Sequence, residues 1–280
     1  MAIPLVEPTP VTRPILRYYG SGWNRAQWTI SHFPSHITYC EPFFGSGSVL
    51  LRKPPSKLEI ANDIDGRVMT FFQVLRERPA ELVEALRLSP WHEGEFRQSL
   101  ETSAEPLEEA RRFFLASWES IRGGPYPRPG DFRWQKTQTR RSAAVKDVAE
   151  LSHLLAAAER LRNVQFLQRD GLDVIRKMHG TGALLYCDPP YVAQARTRKR
   201  DGYRYEPEGS VWHEELAELL HEHNGPALVA GYRSKLYERL YERQGWKRVE
   251  RAQTTNSGGR SVECLWLSPI AQELAAPHAA

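Results

Sequence analysis

Residues 182–187 read as a buried strand, Gly-Ala-Leu-Leu-Tyr-Cys, and run directly into Asp188-Pro189-Pro190-Tyr191. The two prolines fix the backbone and carry no N–H, so the carbonyls there project without a competing donor. The Asp188 carboxylate and the Pro189 carbonyl can then both accept hydrogen bonds from one –NH2 group. An amine on an aromatic base has its lone pair conjugated into the ring. Gripping both of its N–H bonds draws the nitrogen toward sp3 and frees that pair to attack an electron-poor methyl. Tyr191 offers a face on which a base can stack, worth roughly 1–3 kcal/mol per base. A base handled this way must leave its duplex, at a cost of about a few kcal/mol. A plain proline-rich turn is the competing reading, and the position at a strand end weighs against it.

Two further strand ends carry matching signals. A short apolar run at 37–40 opens into Glu41-Pro42-Phe43-Phe44-Gly45-Ser46-Gly47. Glycines let the backbone turn tightly and approach a ligand. Open α/β sheets bind nucleotides outside the carboxyl ends of their strands. The segment lacks both the GxGxxG fingerprint and a P-loop ending, which argues against NAD and ATP. The next strand, 58–61, ends at Asn62-Asp63, where an acid can accept from a ribose diol. Asp170, after 164–167, is either a turn or cap residue or a partner for an adenine amine. Methyl transfer from a sulfonium is an in-line displacement with a neutral leaving group, so positioning supplies most of the catalysis. It needs neither a metal nor a covalent nucleophile. Cys187 therefore reads as a buried member of its strand.

The elements that must hold these residues alternate. Strand runs at 37–40, 58–61, 164–167, 183–187 and 227–230 are separated by helical periodicity. An example is Val68, Phe71, Phe72 and Leu75 at helix spacing. Runs at 246–249 and 262–267 predict a closing antiparallel pair. The expected fold is α/β, a doubly wound and mostly parallel sheet covered on both faces. Residues 79–155 break the rhythm, with helix-like segments at 80–88 and 107–121. Between them and 142 lies a stretch rich in glycine, proline, aromatics and cations. This reads as an inserted, mainly helical subdomain, leaving 14–78 and 156–269 as the catalytic domain. The ends, 1–13 and 270–280, read as loose.

Composition sets further bounds. The chain has 280 residues, 41% hydrophobic and 26% charged, with a formal charge of +4. That permits a polyanionic partner without requiring one. Arg122, Arg128, Arg133, Lys136, Arg140 and Arg141 make the insertion basic, with Tyr126, Phe132 and Trp134 interleaved. This mixture suits phosphate neutralisation and base stacking. Arg196 and Arg198 lie in a second basic run, positioned to clamp phosphates after the Asp-Pro-Pro-Tyr turn. Three cysteines with no CxxC pair argue against a disulfide framework or structural zinc. His213–His223 contains no HExxH. The amino-terminal segment lacks the features of a signal peptide, and no apolar run approaches the ~18 residues needed to span a bilayer. The expectation is a cytoplasmic protein without membrane or metal.

Taken in order, LRYYGSGW, YCEPFFGSGSVLL, ANDIDGRVMTFFQVLR, an inserted region, LLYCDPPYV, AGYRSKLY and RSVECLW resemble the Dam-like DNA adenine N6-methyltransferases, in particular their phage and prophage branch. The resemblance covers about 15–268. It implies S-adenosylmethionine as cofactor and double-stranded DNA as substrate. By position, Tyr18, Asp63 and Asp188 are implied as cofactor contacts and Glu41, Phe43, Gly45 and Gly47 as the cofactor turn. Asp170 is implied on the adenine side, Arg17 facing DNA, and 79–155 as the target-recognition region. The family pattern runs Gly-Ser-Lys-Trp near the start. Here Gly22 stands at the lysine, a position close to cofactor or target in relatives, with Arg17 and Arg25 as nearby cations. Asp-Pro-Pro-Tyr loops also serve amines of RNA bases and N4 of cytosine, and the Gly22 departure leaves open a DNA-binding module without catalysis.

Overall fold

A computed structural model describes residues 10–18, 20–121, 123–124, 126–134, 150–192, 204–205, 209–254 and 260–275. The chain forms two compact units. One, mainly helical, comprises Met1–Ala26, Gly45–Lys53 and Asp65–Asn163. The other, built on a sheet, comprises Gln27–Phe44, Pro54–Ile64 and Val164–Ala280.

The sheet unit contains β1 (Thr38–Glu41), β2 (Leu58–Asn62), β3 (Val164–Leu167), β4 (Leu184–Cys187), β5 (Ala227–Tyr232), β6 (Lys247–Thr254) and β7 (Arg260–Leu267). Their order across the sheet is β3-β2-β1-β4-β5-β7-β6. The first five strands are parallel, and β7 pairs antiparallel with both β5 and β6. The mostly parallel sheet and the closing antiparallel pair are those expected from the alternating pattern. All four residues of β4 are buried, which explains why it reads as a continuous apolar run rather than an alternating one.

Helices α8 (Gly171–Met178), α9 (Val211–Glu222) and α10 (Lys235–Leu240) line one face of this sheet. Leu172, Ile175, Leu216, Leu220, Tyr237 and Tyr241 join Cys40, Leu185, Cys187, Val229 and Trp266 in one core. On the opposite face Tyr39, Leu184, Tyr186 and Leu228 are also buried. There Phe33 packs on Tyr39 and Tyr186 at ring separations of 5.6 and 5.7 Å. Cys187 is fully buried, and desolvation pushes its thiol well above the ordinary range, so it is no nucleophile.

The helical unit contains α2 (Ser48–Arg52), α3 (Gly66–Glu77), α4 (Pro79–Arg87), α5 (Glu93–Ser99), α6 (Pro106–Glu119) and α7 (Ser152–Leu161). The short α1 (Ala26–Ile30) carries the chain from one unit into the other. Val68, Phe71, Phe72 and Leu75 of α3 are all buried, as their spacing predicts. Phe71 meets Phe113 and Phe114 of α6 at 6.0 and 6.3 Å. Arg67 crosses the same interface as a buried ion pair with Glu109, whose other oxygen accepts from Ser103 N–H at 2.6 Å. Pro79 and Pro106 start α4 and α6, where a missing N–H costs nothing.

The stretch after α6 is folded back on itself. Ile121 N–H donates to Asp131 O (2.8 Å) and Arg133 N–H to Glu119 O (2.6 Å), around a bridge between Ser120 and Phe132. Phe132 packs on Phe96 at 5.6 Å, and Trp91 Nε1 donates to Arg133 O at 3.1 Å. The glycine- and proline-rich run is thus the loop of a small hairpin anchored on α5. This unit takes in the expected insertion 79–155 together with the flanking α3 and α7.

Candidate active site

In the sheet unit, four acids stand at the carboxyl ends of adjacent parallel strands. Glu41 ends β1, Asp63 follows β2, Asp170 follows β3 and Asp188 follows β4. Strands proceed from β1 to β2 and β3 on one side, while β4 and β5 lie on the other. The succession reverses between β1 and β4, the place where such sheets open a crevice. Cys40 is paired with Leu185. Beyond that pair the chain leaves β1 after Glu41 and β4 after Cys187, so the turn that carries Phe43 and the Asp188 loop both open at this end of the sheet.

Each turn is held by identifiable contacts. Glu41 is buried and accepts from Tyr39 Oη at 2.5 Å. Burial, with Glu41 beside it, raises the Tyr39 phenol far above its usual value, so it stays a donor. The fully buried Asn62 is a clamp. Its Nδ2 donates to Pro42 O (2.9 Å) and Arg169 O (3.0 Å), while its Oδ1 accepts from Arg169 N–H (2.9 Å). The Asn62 carbonyl accepts from Phe44 N–H at 2.8 Å. One side chain and its own carbonyl therefore tie the turn after β1 to the loop after β3. Phe43 lies against the Cα of Gly171 and meets Trp212 edge-on at 5.6 Å. Asp170 caps α8, its Oδ1 accepting from Leu172 N–H at 2.7 Å. That is the cap role such an aspartate fills on sequence grounds alone. Asp63 is half-buried, its N–H directed at Leu167 O.

Asp188 is half-buried at the mouth of β4, followed by buried Pro189 and half-buried Pro190. Tyr191 is anchored rather than free-standing. Its hydroxyl donates to Glu263 Oε2 at 3.0 Å, and its ring meets Tyr232 at 4.7 Å and 80°.

In the helical unit, the Tyr18 ring lies over Gly45, where an added Cβ would come within 3.3 Å of it. Gly45 and Gly47 have φ of +51° and +64°, values that favour glycine. The hydroxyls of Ser21, Ser46 and Ser48 form a cluster with separations of 2.8–3.3 Å. Gly22 is buried beside Arg25, whose Nε would lie 3.1 Å from a Cβ there. The room a side chain at Gly22 would use is taken by the Arg25 guanidinium.

A family model described as D12 class N6 adenine-specific DNA methyltransferase matches residues 18–255. The chain belongs to this family. It is also similar to the DNA adenine methylase of Escherichia coli strain K12, 25% identical over 261 residues, covering 89% of this chain and 91% of that protein. The DNA adenine methylase of Serratia marcescens is 24% identical over 242 residues, 82% of this chain and 87% of that one. As a D12 class methyltransferase the protein methylates adenine in DNA. This favours the DNA reading over RNA amines, N4 of cytosine and a module without catalysis. The family implies S-adenosylmethionine as methyl donor.

The expected DNA contacts of this D12 class methyltransferase divide three ways. Arg122, Lys136, Arg140, Arg196 and Arg198 lie outside the described residues. Arg128 is exposed on the hairpin loop. Arg17 is tied into the helical unit. Its Nη1 donates to Ser120 O (3.0 Å) and Trp118 O (3.3 Å), and its backbone exchanges hydrogen bonds with Ser117 Oγ. A cation capping the carbonyl end of α6 is favourable there. Of the interleaved aromatics, Tyr126 donates to Asp65, the N-cap of α3, and Phe132 is packed, while Trp134 is 73% exposed.

Asn62, Gly171, Trp212 and Glu263 were missed by sequence reasoning. Asn62 carries no charge and stands beside Asp63, so nothing in its local sequence marks it as a clamp. Glu263 sits within RSVECLW, where a lone acid in an apolar strand was the available signal. No group of three or more His, Cys, Asp or Glu residues able to hold a metal occurs among the described residues. No helix among them is long and apolar enough to cross a membrane.

Proposed function

We propose that the protein transfers a methyl group from S-adenosylmethionine to N6 of an adenine flipped out of duplex DNA at a specific site. The observation that carries this reading is Asp188-Pro189-Pro190-Tyr191 at the end of β4, beside the end of β1 at the reversal of strand order.

The donor set fits such a cofactor. Acids at the ends of β1, β2, β3 and β4 suit a ligand bearing an ammonium, a ribose diol and an adenine amine. Asp63 would accept from the diol, Glu41 and Asp188 would hold the cationic end, and Phe43, seated on Gly171 and Trp212, would supply an apolar wall. Roles for Tyr18, Gly22, Gly45 and Gly47 are supported by the family resemblance. When bound, S-adenosylmethionine supplies an electron-poor methyl on a sulfonium. Asp188 and the Pro189 carbonyl accept the two N–H bonds of the adenine amine and turn its lone pair out of the ring plane. Tyr191 provides a wall for the base. Loss of one amine proton follows transfer, and Asp188 is the nearest carboxylate among these residues to receive it. The helical unit, with the exposed Arg128 and Trp134, is the part we assign to target recognition.

The test is transfer of labelled methyl groups from S-adenosylmethionine to duplex DNA, with RNA and an Asp188→Ala variant in parallel. Label on N6 of adenine in DNA that disappears in the variant is the expected result. Undiminished incorporation by the variant, or a preference for RNA, would refute the reading. Sequencing DNA modified in a methylation-free host reports the target site.

A further inference from the structure

β7 carries Glu263 in its interior, 2% exposed. A carboxylate in such a place costs several kcal/mol unless it is well satisfied, and a leucine would fill a strand position without that cost. One residue it serves is identifiable. Glu263 Oε2 accepts from Tyr191 Oη at 3.0 Å. Directly opposite Glu263 in the β5–β7 register stands Tyr232. Residues directly opposite across antiparallel strands project on the same face. The Tyr232 ring meets the Tyr191 ring at 4.7 Å, close to perpendicular. The cross-strand pair therefore makes a two-point seat. One member fixes the tip of Tyr191 by a charge-assisted hydrogen bond, and the other fixes the plane of its ring by an edge contact. Neither comes from the loop that bears Tyr191; both sit on strands whose mutual register is set by five paired residues.

We propose that Glu263 is a positioning residue for methyl transfer: seated opposite Tyr232, it holds the Asp188-Pro189-Pro190-Tyr191 tyrosine at the angle from which it walls the target base. This rests on the reading that Tyr191 faces that base. A loosened tyrosine still permits cofactor binding but holds the base in the productive pose for less of the time. The loss then falls on kcat rather than on KM for S-adenosylmethionine.

The experiment measures kcat and both KM values of the full-length enzyme on unmethylated plasmid DNA. The variants are Tyr191→Ala, Tyr191→Phe, Glu263→Leu, Glu263→Gln and the double Tyr191→Phe/Glu263→Leu. Glu263→Leu and Tyr191→Phe are each expected to lower kcat roughly tenfold, the size of a lost hydrogen bond to a charged group. KM for S-adenosylmethionine should stay within about twofold. The double variant should be no slower than the slower single variant, because both remove the same bond. Glu263→Gln keeps an acceptor and should restore most of kcat. Losses that multiply in the double variant, or a raised KM for S-adenosylmethionine with kcat kept, would overturn the inference. Should Glu263→Leu fail to fold, Tyr191→Phe decides, because it removes the same bond and leaves the buried carboxylate in place. A roughly tenfold lower kcat is expected, and full kcat in Tyr191→Phe overturns the proposal. Tyr191→Ala with full activity would overturn both this inference and the role given to Tyr191. Tyr191→Ala inactive with fully active Glu263 variants would overturn this inference alone.

Discussion

Phe43 leaves no room for a side chain on Gly171. A Cβ there would lie 2.2 Å from Phe43 Cε1 and 2.6 Å from Cζ. Gly171 opens α8 with ordinary helical geometry, so the constraint is steric. Alanine would favour the helix itself by up to ~1 kcal/mol. Any loss must therefore come from displacing the ring. Gly171→Ala is expected to weaken S-adenosylmethionine binding about tenfold, with an overpacking cost of about 1–3 kcal/mol in stability. Calorimetric titration with S-adenosylmethionine and a urea melt measure the two. Unchanged affinity would remove Phe43 from the cofactor wall.

Asn62 makes a sharper case, since three of its hydrogen bonds come from one buried amide. Asn62→Ala leaves the carbonyls of Pro42 and Arg169 without that donor. Each loss costs about 1–3 kcal/mol where water cannot enter. The expected result is a lower urea midpoint together with weaker S-adenosylmethionine binding, because the turn after β1 and the loop after β3 come apart. Asn62→Asp keeps the acceptor for Arg169 N–H but turns a carboxylate toward two carbonyls. It should fall below Asn62→Ala in stability at neutral pH. An Asn62→Ala variant with wild-type melting and affinity would show that the clamp holds nothing.

Those two residues mark the limit of what the sequence could tell. The strands were legible because parallel strands buried on both faces read as unbroken apolar runs, as in 184–187. α3 was legible from Val68, Phe71, Phe72 and Leu75. Asp188 stood out because a carboxylate followed by two prolines has few structural uses. Asn62 was invisible because its partners, Pro42 and Arg169, lie 20 and 107 residues away in sequence. Gly171 was invisible because the ring that forbids its Cβ comes from another strand end. The basic and aromatic run after α6 looked uniform along the chain. Folding divides it: Tyr126 and Phe132 serve the helical unit's own packing, while Arg128 and Trp134 face outward. Arg17, which the resemblance implies as facing DNA, donates from Nη1 to carbonyls at the end of α6, a contact 101 and 103 residues away in sequence.

The outward residues give the recognition hypothesis a direct check. Trp134→Ala removes an exposed indole, so stability should change by no more than about 0.5 kcal/mol. If a base or sugar stacks on it, DNA affinity falls by roughly 1–3 kcal/mol. Arg128→Ala should weaken binding evenly across sequences and reduce the salt dependence of binding by about one phosphate contact. Fluorescence anisotropy with duplex DNA over a range of salt concentrations reads both. Wild-type affinity and salt slope in the two variants would place recognition elsewhere.

Glu119, the last residue of α6, is 1% exposed, and neither carboxylate oxygen meets a hydrogen-bond partner among the described residues. Desolvation dominates its titration, Glu95 nearby adds to it, and Arg111 opposes it; the carboxyl is pushed up to about 8. Unfolded, the same group titrates near 4.5. Below pH 4.5 both states are protonated and the group contributes no pH dependence. Between 4.5 and 8 the unfolded chain releases this proton while the folded chain keeps it, so stability falls as pH rises. Above about 8 both states are ionised and the decline ends. Glu119→Gln keeps the shape of the neutral acid and cannot ionise. It should therefore be more stable than wild type at pH 8 by on the order of a few kcal/mol, with the difference shrinking toward pH 5. Urea melts of both proteins from pH 5 to 9 test this. A difference that grows toward acid would mean that Glu119 is ionised in the folded protein, with a cation drawn in to meet it.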